Sequence, residues 1–244
     1  MTRLQPKDRI FVALDTPEIE RAAKLARALA DDLGGVKIGK EFFTAQGPDG
    51  VSAVAGAIPL FLDLKFHDIP NTVAGAIRAA VHMRPRIVNV HASGGRAMMQ
   101  AAAETAREAA EDAEVARPLV LGVTVLTSLD DRDLREIGQT GPSAAQVERL
   151  ALLARDCGLD GVVCSPREIE LLRRACGPEF ILLVPGIRPA WAARGDQKRV
   201  MTPAAAVAAG ADYLVIGRPI TRADDPLAAA RRIVGELTAA QVHL

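Results

Sequence analysis

The stretch "PLFLDLKFHDIPNTV" (59–73) decides the fold. It opens as an apolar, strand-like run, crowds Asp63, Lys65, His67 and Asp68 into its end, and then turns into a helix containing Asn71 and Thr72. Buried charges cost free energy, so a strand that ends in carboxylates and an ammonium needs a reason. Working outward from it, a short apolar run followed by a longer stretch of helical spacing recurs eight times. The strand candidates are 10–15, 36–39, 59–66, 87–92, 119–126, 159–164, 180–187 and 212–218. Helical stretches such as "PEIERAAKLARALADDL", "GGRAMMQAAAETAREAAEDA" and "AAQVERLALLARDCG" fall between them.

Several helices announce their ends. Thr16-Pro17, Ser165-Pro166 and Thr202-Pro203 each put a capping hydroxyl before a proline at the first helical position. Ser165 with Glu168 also fits a capping box, and Gly158, Gly177 and Gly210 stand where helices would stop. Eight alternations in 244 residues have the size and rhythm of a (β/α)8 TIM barrel forming a single domain, 1–244. A doubly wound open sheet usually needs fewer strands.

Composition excludes several function classes. Lys plus Arg and Asp plus Glu each total 30, and no long basic or acidic block appears, so a nucleic acid is not an expected partner. The three cysteines, Cys157, Cys164 and Cys176, lack CxxC spacing, which argues against a disulfide framework or a structural zinc site and fits reduced thiols in a cytoplasm. "MTRLQPKDRIFVALD" lacks the apolar core of a secretion signal, and no apolar segment approaches the roughly 18 residues needed to span a bilayer.

In a barrel, strand residues alternate inward and outward and the C-terminal strand ends converge on one open face. Asp15 ends the first run, Asp63 and Lys65 the third, Asn89 and His91 the fourth and Arg218 the eighth; Thr127 follows the fifth and Arg188 the seventh. On an extended strand Asp63 and Lys65 share the inward face, while Leu62, Leu64 and Phe66 point toward the helices. An isolated D-x-K reads as a salt bridge capping a strand. Lys37 on the neighbouring strand and Asp68 extend it to a K-D-K-D arrangement in which each charge stands between opposite charges. Such a network suits a reaction that stabilises a carbanion and protonates it from a lysine, and suits Schiff-base chemistry poorly. At runs seven and eight, "VPGIRPAWAARGDQKR" and "VIGRPITRADDP" bring glycines 186 and 217, Arg188, Arg218 and Gln197 to the loops where barrels commonly hold a phosphate. A phosphorylated small molecule is the expected ligand.

"DLKFHDIPNT", with "VALD", "VKIGKEFF", "VNVHASGG", "VTVLTS", "PGIRP", "GDQKR" and "VIGRPIT", resembles the bacterial-type orotidine 5'-phosphate decarboxylase family over practically the whole chain. The resemblance implies conversion of orotidine 5'-phosphate to uridine 5'-phosphate and CO2, the last step of de novo pyrimidine synthesis, with no cofactor and no metal. It implies that Lys65 donates the proton to C6, that Asp63 lies beside the departing carboxylate, that Lys37 bridges the network and the ribose, and that Asp15 binds a ribose hydroxyl. It further implies a homodimer in which Asp68 and Thr72 reach into the partner's site, with Ile69 also among the substrate-binding residues. Thr127 matches a contact to the pyrimidine and Pro185 lies beside the base. Arg188, Gln197, Gly217 and Arg218 match the phosphate side, with 189–199 as a segment closing over it.

Other readings remain beside this one. 3-Keto-L-gulonate 6-phosphate decarboxylase and hexulose 6-phosphate synthase share D-x-K-x-x-D and use magnesium, but would not be expected to carry "HDIPNT" with "PGIRP" and "GDQ". A non-catalytic nucleotide-binding barrel would need the charges only for structure. His67 and His91 near the aspartates suggest a metal site, against which Lys65 between the carboxylates would repel a cation. Asn89 with His91 reads as a hydrogen-bonding pair, Cys164 as an inert buried thiol, Met98 and Met99 as core or interface, and "LDDRDLREIG" as a solvated helix. Trp191 has no account from sequence.

Overall fold

The computed structural model describes residues 4–192 and 201–241. Eight parallel strands close in chain order into a barrel: β1 (Ile10–Ala13), β2 (Gly35–Gly39), β3 (Leu60–Phe66), β4 (Ile87–His91), β5 (Leu119–Val123), β6 (Gly161–Val163), β7 (Ile181–Pro185) and β8 (Tyr213–Ile216), with β8 returning to β1. Helices cover the outside: α1 (Ile19–Leu29), α2 (Lys40–Ala55), α3 (Pro70–Val81), α4 (Arg96–Asp112), α5 (Asp131–Glu136), α6 (Ser143–Asp156), α7 (Ile169–Cys176), α8 (Pro203–Ala208), α9 (Arg218–Thr221) and α10 (Pro226–Gln241).

The strands are apolar on both faces because both are buried. Val12, Leu62, Val88, Val120, Val162, Leu182 and Leu214 pack outward against the helices. Their neighbours Phe11, Phe61, Ile87, Leu121, Val163, Leu183 and Val215 fill the interior. A register slip of one residue would exchange the two sets, so the pattern pins every strand. Phe11 meets Phe61 and Tyr213 edge-on, at 6.2 and 5.6 Å between ring centroids, and this aromatic group closes the interior beneath the rim.

Most helix signals act as expected. Thr202 accepts from the Ala205 N–H at 3.2 Å, and Glu168 accepts from the Ser165 N–H at 2.8 Å in the turn that leads into α7. Gly177 ends α7 at φ +85°, a left-handed stop that a side chain would strain. Two ends differ. The Thr16 hydroxyl accepts from the N–H of Glu18 at 3.3 Å, a local turn that delays α1 to Ile19. Arg218 does not end a strand: β8 stops at Ile216, and Pro219, with no N–H to offer a ladder, carries the chain into α9.

Candidate active site

The rim of the barrel is organised by an irregularity in β3. Leu62 pairs with Val88 and Phe66 with Val90, so residues 63–65 of β3 stand against Asn89 alone. The straight strand expected from the spacing is therefore bent, and the bend falls on Lys65, whose φ is +52°. A lysine held there stores roughly 1–3 kcal/mol of strain. The Lys65 N–H donates to Asn89 Oδ1 at 2.8 Å, and Asn89 Nδ2 donates to Asp63 Oδ1 at 2.7 Å. Leu62 and Leu64 still pack outward, as their alternation predicts.

The bend leaves Asp63 between two ammonium groups. Lys65 Nζ is 2.5 Å from Asp63 Oδ1, and Lys37 Nζ, from β2, is 3.4 Å from Asp63 Oδ2. Lys37 also donates to Asp15 Oδ1 at 3.1 Å. The alternating series of charges is thus Asp15–Lys37–Asp63–Lys65, with Asp15 in a terminal place where the spacing suggests Asp68. Burial alone would push the Asp63 carboxyl up; Lys37 and Lys65, with the hydrogen bonds from Lys65 and Asn89, hold it below the usual carboxylate range. The Lys37 and Asp63 side chains keep only 9% and 13% of their exposure, so water screens this pair little.

The network opens into a cavity of about 300 Å³. Asp15, Lys37, Asp63, Lys65, Thr127, Pro185, Arg188, Gly217 and Arg218 all line it, as the sequence predicts for residues at the C-terminal strand ends. Its floor is apolar, made by Ala13, Phe61, Val123, Val163, Leu183 and Val215. Sequence reasoning left out this floor, although the period-two alternation that picks Asp63 also picks Phe61. Arg188 is buried, and its backbone N–H donates to the Met201 carbonyl at 3.0 Å, which ties the end of β7 to the chain entering α8.

Other expected residues lie elsewhere. Asp68, Ile69 and Thr72 do not line the cavity of their own chain; they stand exposed where β3 passes into α3, and Ile69 keeps 67% of its surface in solvent. The Asp68 carboxylate accepts from the Ile69 N–H at 2.7 Å. Gln197, with most of 189–199, lies outside the described residues. The expected Asn89–His91 pairing gives way to a different arrangement: Asn89 bonds to β3, and the His91 ring lies 5.4 Å from that of His67. Asn89 and His91 lie two positions apart and share one side of β4, but depth along the strand separates them: Asn89 is fully buried opposite the β3 bulge, while His91, at the end of β4, is half-buried at the rim. Burial first, and then the charges of His67, Lys40 and Lys65, pull His91 down to about 4. Among the described residues no group of three or more His, Cys, Asp or Glu side chains is arranged to hold a metal ion. Cys164 lines the cavity, but complete burial pushes its thiol far up, away from the nucleophilic thiolate. Trp191 gains an account: its Nε1 donates to Glu236 at 2.8 Å and Arg232 lies 4.6 Å above its ring, docking the start of the β7–α8 connection on α10.

Known proteins share this fold and much of this sequence. Residues 8–233 match the family described as Orotidine 5'-phosphate decarboxylase / HUMPS. A relative from Rhodospirillum rubrum named orotidine 5'-phosphate decarboxylase is 57% identical over 230 residues, covering 93% of each chain. One of the same name from Moorella thermoacetica is 56% identical, covering 97% of this chain and 95% of its own. The crystal structure of orotidine 5'-phosphate decarboxylase from Lactobacillus acidophilus superposes with a TM-score of 0.83 at 38% identity, over 93% of this chain and 98% of that one. The chain belongs to the orotidine 5'-phosphate decarboxylase / HUMPS family.

Proposed function

We propose that this chain decarboxylates orotidine 5'-phosphate to uridine 5'-phosphate, in pyrimidine biosynthesis. The observation that carries the reading is the Lys37–Asp63–Lys65 chain at one side of a cavity that Arg188 and Arg218 also line. The pyrimidine rests over the apolar floor between Thr127 and Pro185, and the ribose meets Asp15 and Lys37. The phosphate meets Arg188, Arg218 and the backbone at Gly217, with Gln197 joining from outside the described residues.

The chemistry follows from the charges. The substrate carboxylate stands beside Asp63, whose ionised state the two lysines maintain. Breaking the bond from C6 to the carboxylate removes that like-charge contact, because CO2 leaves neutral and the electron pair stays on C6. The Lys65 ammonium faces the developing negative charge and gives its proton to C6; solvent then returns a proton to the amine. No cofactor enters this account.

The reading includes a homodimer. Asp68, Ile69 and Thr72 are exposed and stand away from the cavity of their own protomer, which supports their use in the partner's site. The three thiols, all buried and unpaired, suit a reducing cytoplasm. No helix among the described residues is long and apolar enough to cross a membrane.

The deciding experiment follows the ultraviolet band of orotidine 5'-phosphate. The wild-type chain should bleach it in the presence of a chelator, and Lys65→Ala should lose at least about 10⁴-fold in rate, combining proton donation with charge stabilisation. Normal turnover by Lys65→Ala would refute the role given to Lys65. Loss of wild-type activity with chelator would favour a metal-assisted member of the family.

A further inference from the structure

We propose that Asn89 is the positioning residue of this centre: its single side-chain amide holds the Asp63 carboxylate and the Lys65 backbone together, and thereby sets where the Lys65 ammonium stands. The proposal rests on the decarboxylation reading above. Asn89 is fully buried and does not line the cavity, so it acts only through the residues it holds.

The chemistry of the site requires an amide. The ionised Asp63 carboxylate only accepts hydrogen bonds and the Lys65 N–H only donates, so the residue between them must donate at one end and accept at the other. Asn89 does so, with Nδ2 at 2.7 Å from Asp63 Oδ1 and Oδ1 at 2.8 Å from the Lys65 nitrogen. An aspartate has no donor for Asp63, a leucine has neither group, and a glutamine carries one methylene too many for the bulge. Asp63 Oδ1 thus receives both Asn89 and Lys65 Nζ, while Oδ2 is left to Lys37. This division fixes the rotation of the carboxylate. The same amide supplies the acceptor for the buried N–H of a lysine at φ +52°, a backbone state that lasts only where its surroundings enforce it. Without Asn89 the bulge has no cross-strand partner at its centre, and the stem of Lys65 swings with the backbone.

Asn89→Leu keeps the branching at Cγ, is somewhat bulkier, and removes both hydrogen bonds. Asn89→Asp keeps the acceptor for Lys65 and turns a charge toward Asp63. Four readouts apply to each: kcat and KM on orotidine 5'-phosphate, affinity for uridine 5'-phosphate, thermal unfolding, and the carboxyl-carbon NMR titration of Asp63. The expected result for Asn89→Leu is a loss of about 100-fold in kcat, the scale of a displacement near 1 Å, with uridine 5'-phosphate affinity within about threefold of wild type. The Asp63 titration should move upward in both variants, further in Asn89→Asp. A folded Asn89→Leu protein with kcat within about threefold of wild type would overturn the proposal. So would parallel losses in kcat, nucleotide affinity and melting temperature, or failure of both variants to fold, since each assigns Asn89 to the fold alone. If the wild type leaves orotidine 5'-phosphate unchanged, the reading of the reaction fails, and the Asp63 titration still decides whether Asn89 holds that carboxylate.

Discussion

The left-handed backbone of Lys65 makes an unusual expectation about stability. Consider Lys65→Ala and Lys65→Gly. Both remove the ammonium, leave Asp63 to Lys37 and Asn89, and abolish the proposed proton donor, so these losses cancel when the two variants are compared. What remains is the backbone term. At φ +52° a residue with a Cβ costs about 1–2 kcal/mol that glycine avoids. Glycine in turn loses about 0.5–1 kcal/mol more conformational freedom on folding. The balance favours Lys65→Gly by roughly 0.5–1 kcal/mol. For 244 residues the unfolding entropy is on the order of 0.5 kcal/mol/K, which makes the difference about 1–2 °C in melting temperature. In an ordinary strand the order is reversed and alanine is the more stable. Side-by-side calorimetry of the two inactive proteins checks this, and Lys65→Gly melting below Lys65→Ala would refute the claim that the centre stores backbone strain.

The shared-site reading gives a mixing result: Lys65→Ala and Asp68→Ala proteins, each inactive alone, should regain about one quarter of wild-type specific activity after subunits exchange randomly, because half the dimers are mixed and each carries one intact site. No recovery would place Asp68 outside the partner's site. Arg218→Ala should keep its fold but bind uridine 5'-phosphate about 10- to 100-fold more weakly, as expected for one charge-assisted contact to phosphate, checked by calorimetric titration. His91 stands half-buried and neutral, drawn down to about 4, so the unfolded chain binds its proton first; its contribution to stability is complete well above pH 6.5 and is lost as pH falls toward 4. Because His91 is only half-buried, this amounts to about 1–2 kcal/mol, and His91→Gln should flatten the denaturation midpoint across that range.

The barrel was legible because its signals are local. An apolar run such as 119–126 needs no partner to be recognised, and the eight runs lie in order with the observed strands, whose ends fall within three residues of theirs. Asp15, Lys37, Asp63 and Arg218 were legible for the same reason, since strand ends in a closed barrel must converge. The bulge was not. Propensity gives no reason to place a lysine at positive φ, and the group that enforces it, Asn89, lies 24 positions away with no local mark. Asp68 shows the limit of spacing. It follows Lys65 by three positions, but β3 ends at Phe66, and the turn into α3 carries its carboxylate away from its own cavity. Trp191 was opaque because its partners, Arg232 and Glu236, come from the last helix.

The two ends of the cavity make sense only as parts of one energy balance. At the network end Asp63 stays ionised, and under the proposed reaction it faces another carboxylate, an arrangement that opposes binding. Tight ground-state binding there would lower KM without raising kcat. At the other end Arg188 and Arg218 line the cavity, and under the same proposal they meet a phosphate that takes no part in bond breaking, so attraction to it can offset the repulsion at Asp63 until CO2 departs. This division requires the carboxylate to be held still; a freely rotating Asp63 would turn from the substrate toward its lysines and release the repulsion without chemistry. The bulge in β3, with an asparagine locked behind it, keeps one carboxylate oxygen on Lys65 and the other on Lys37. The strained backbone of Lys65 is then part of the catalytic apparatus, and its cost is carried by the rest of a well-packed barrel.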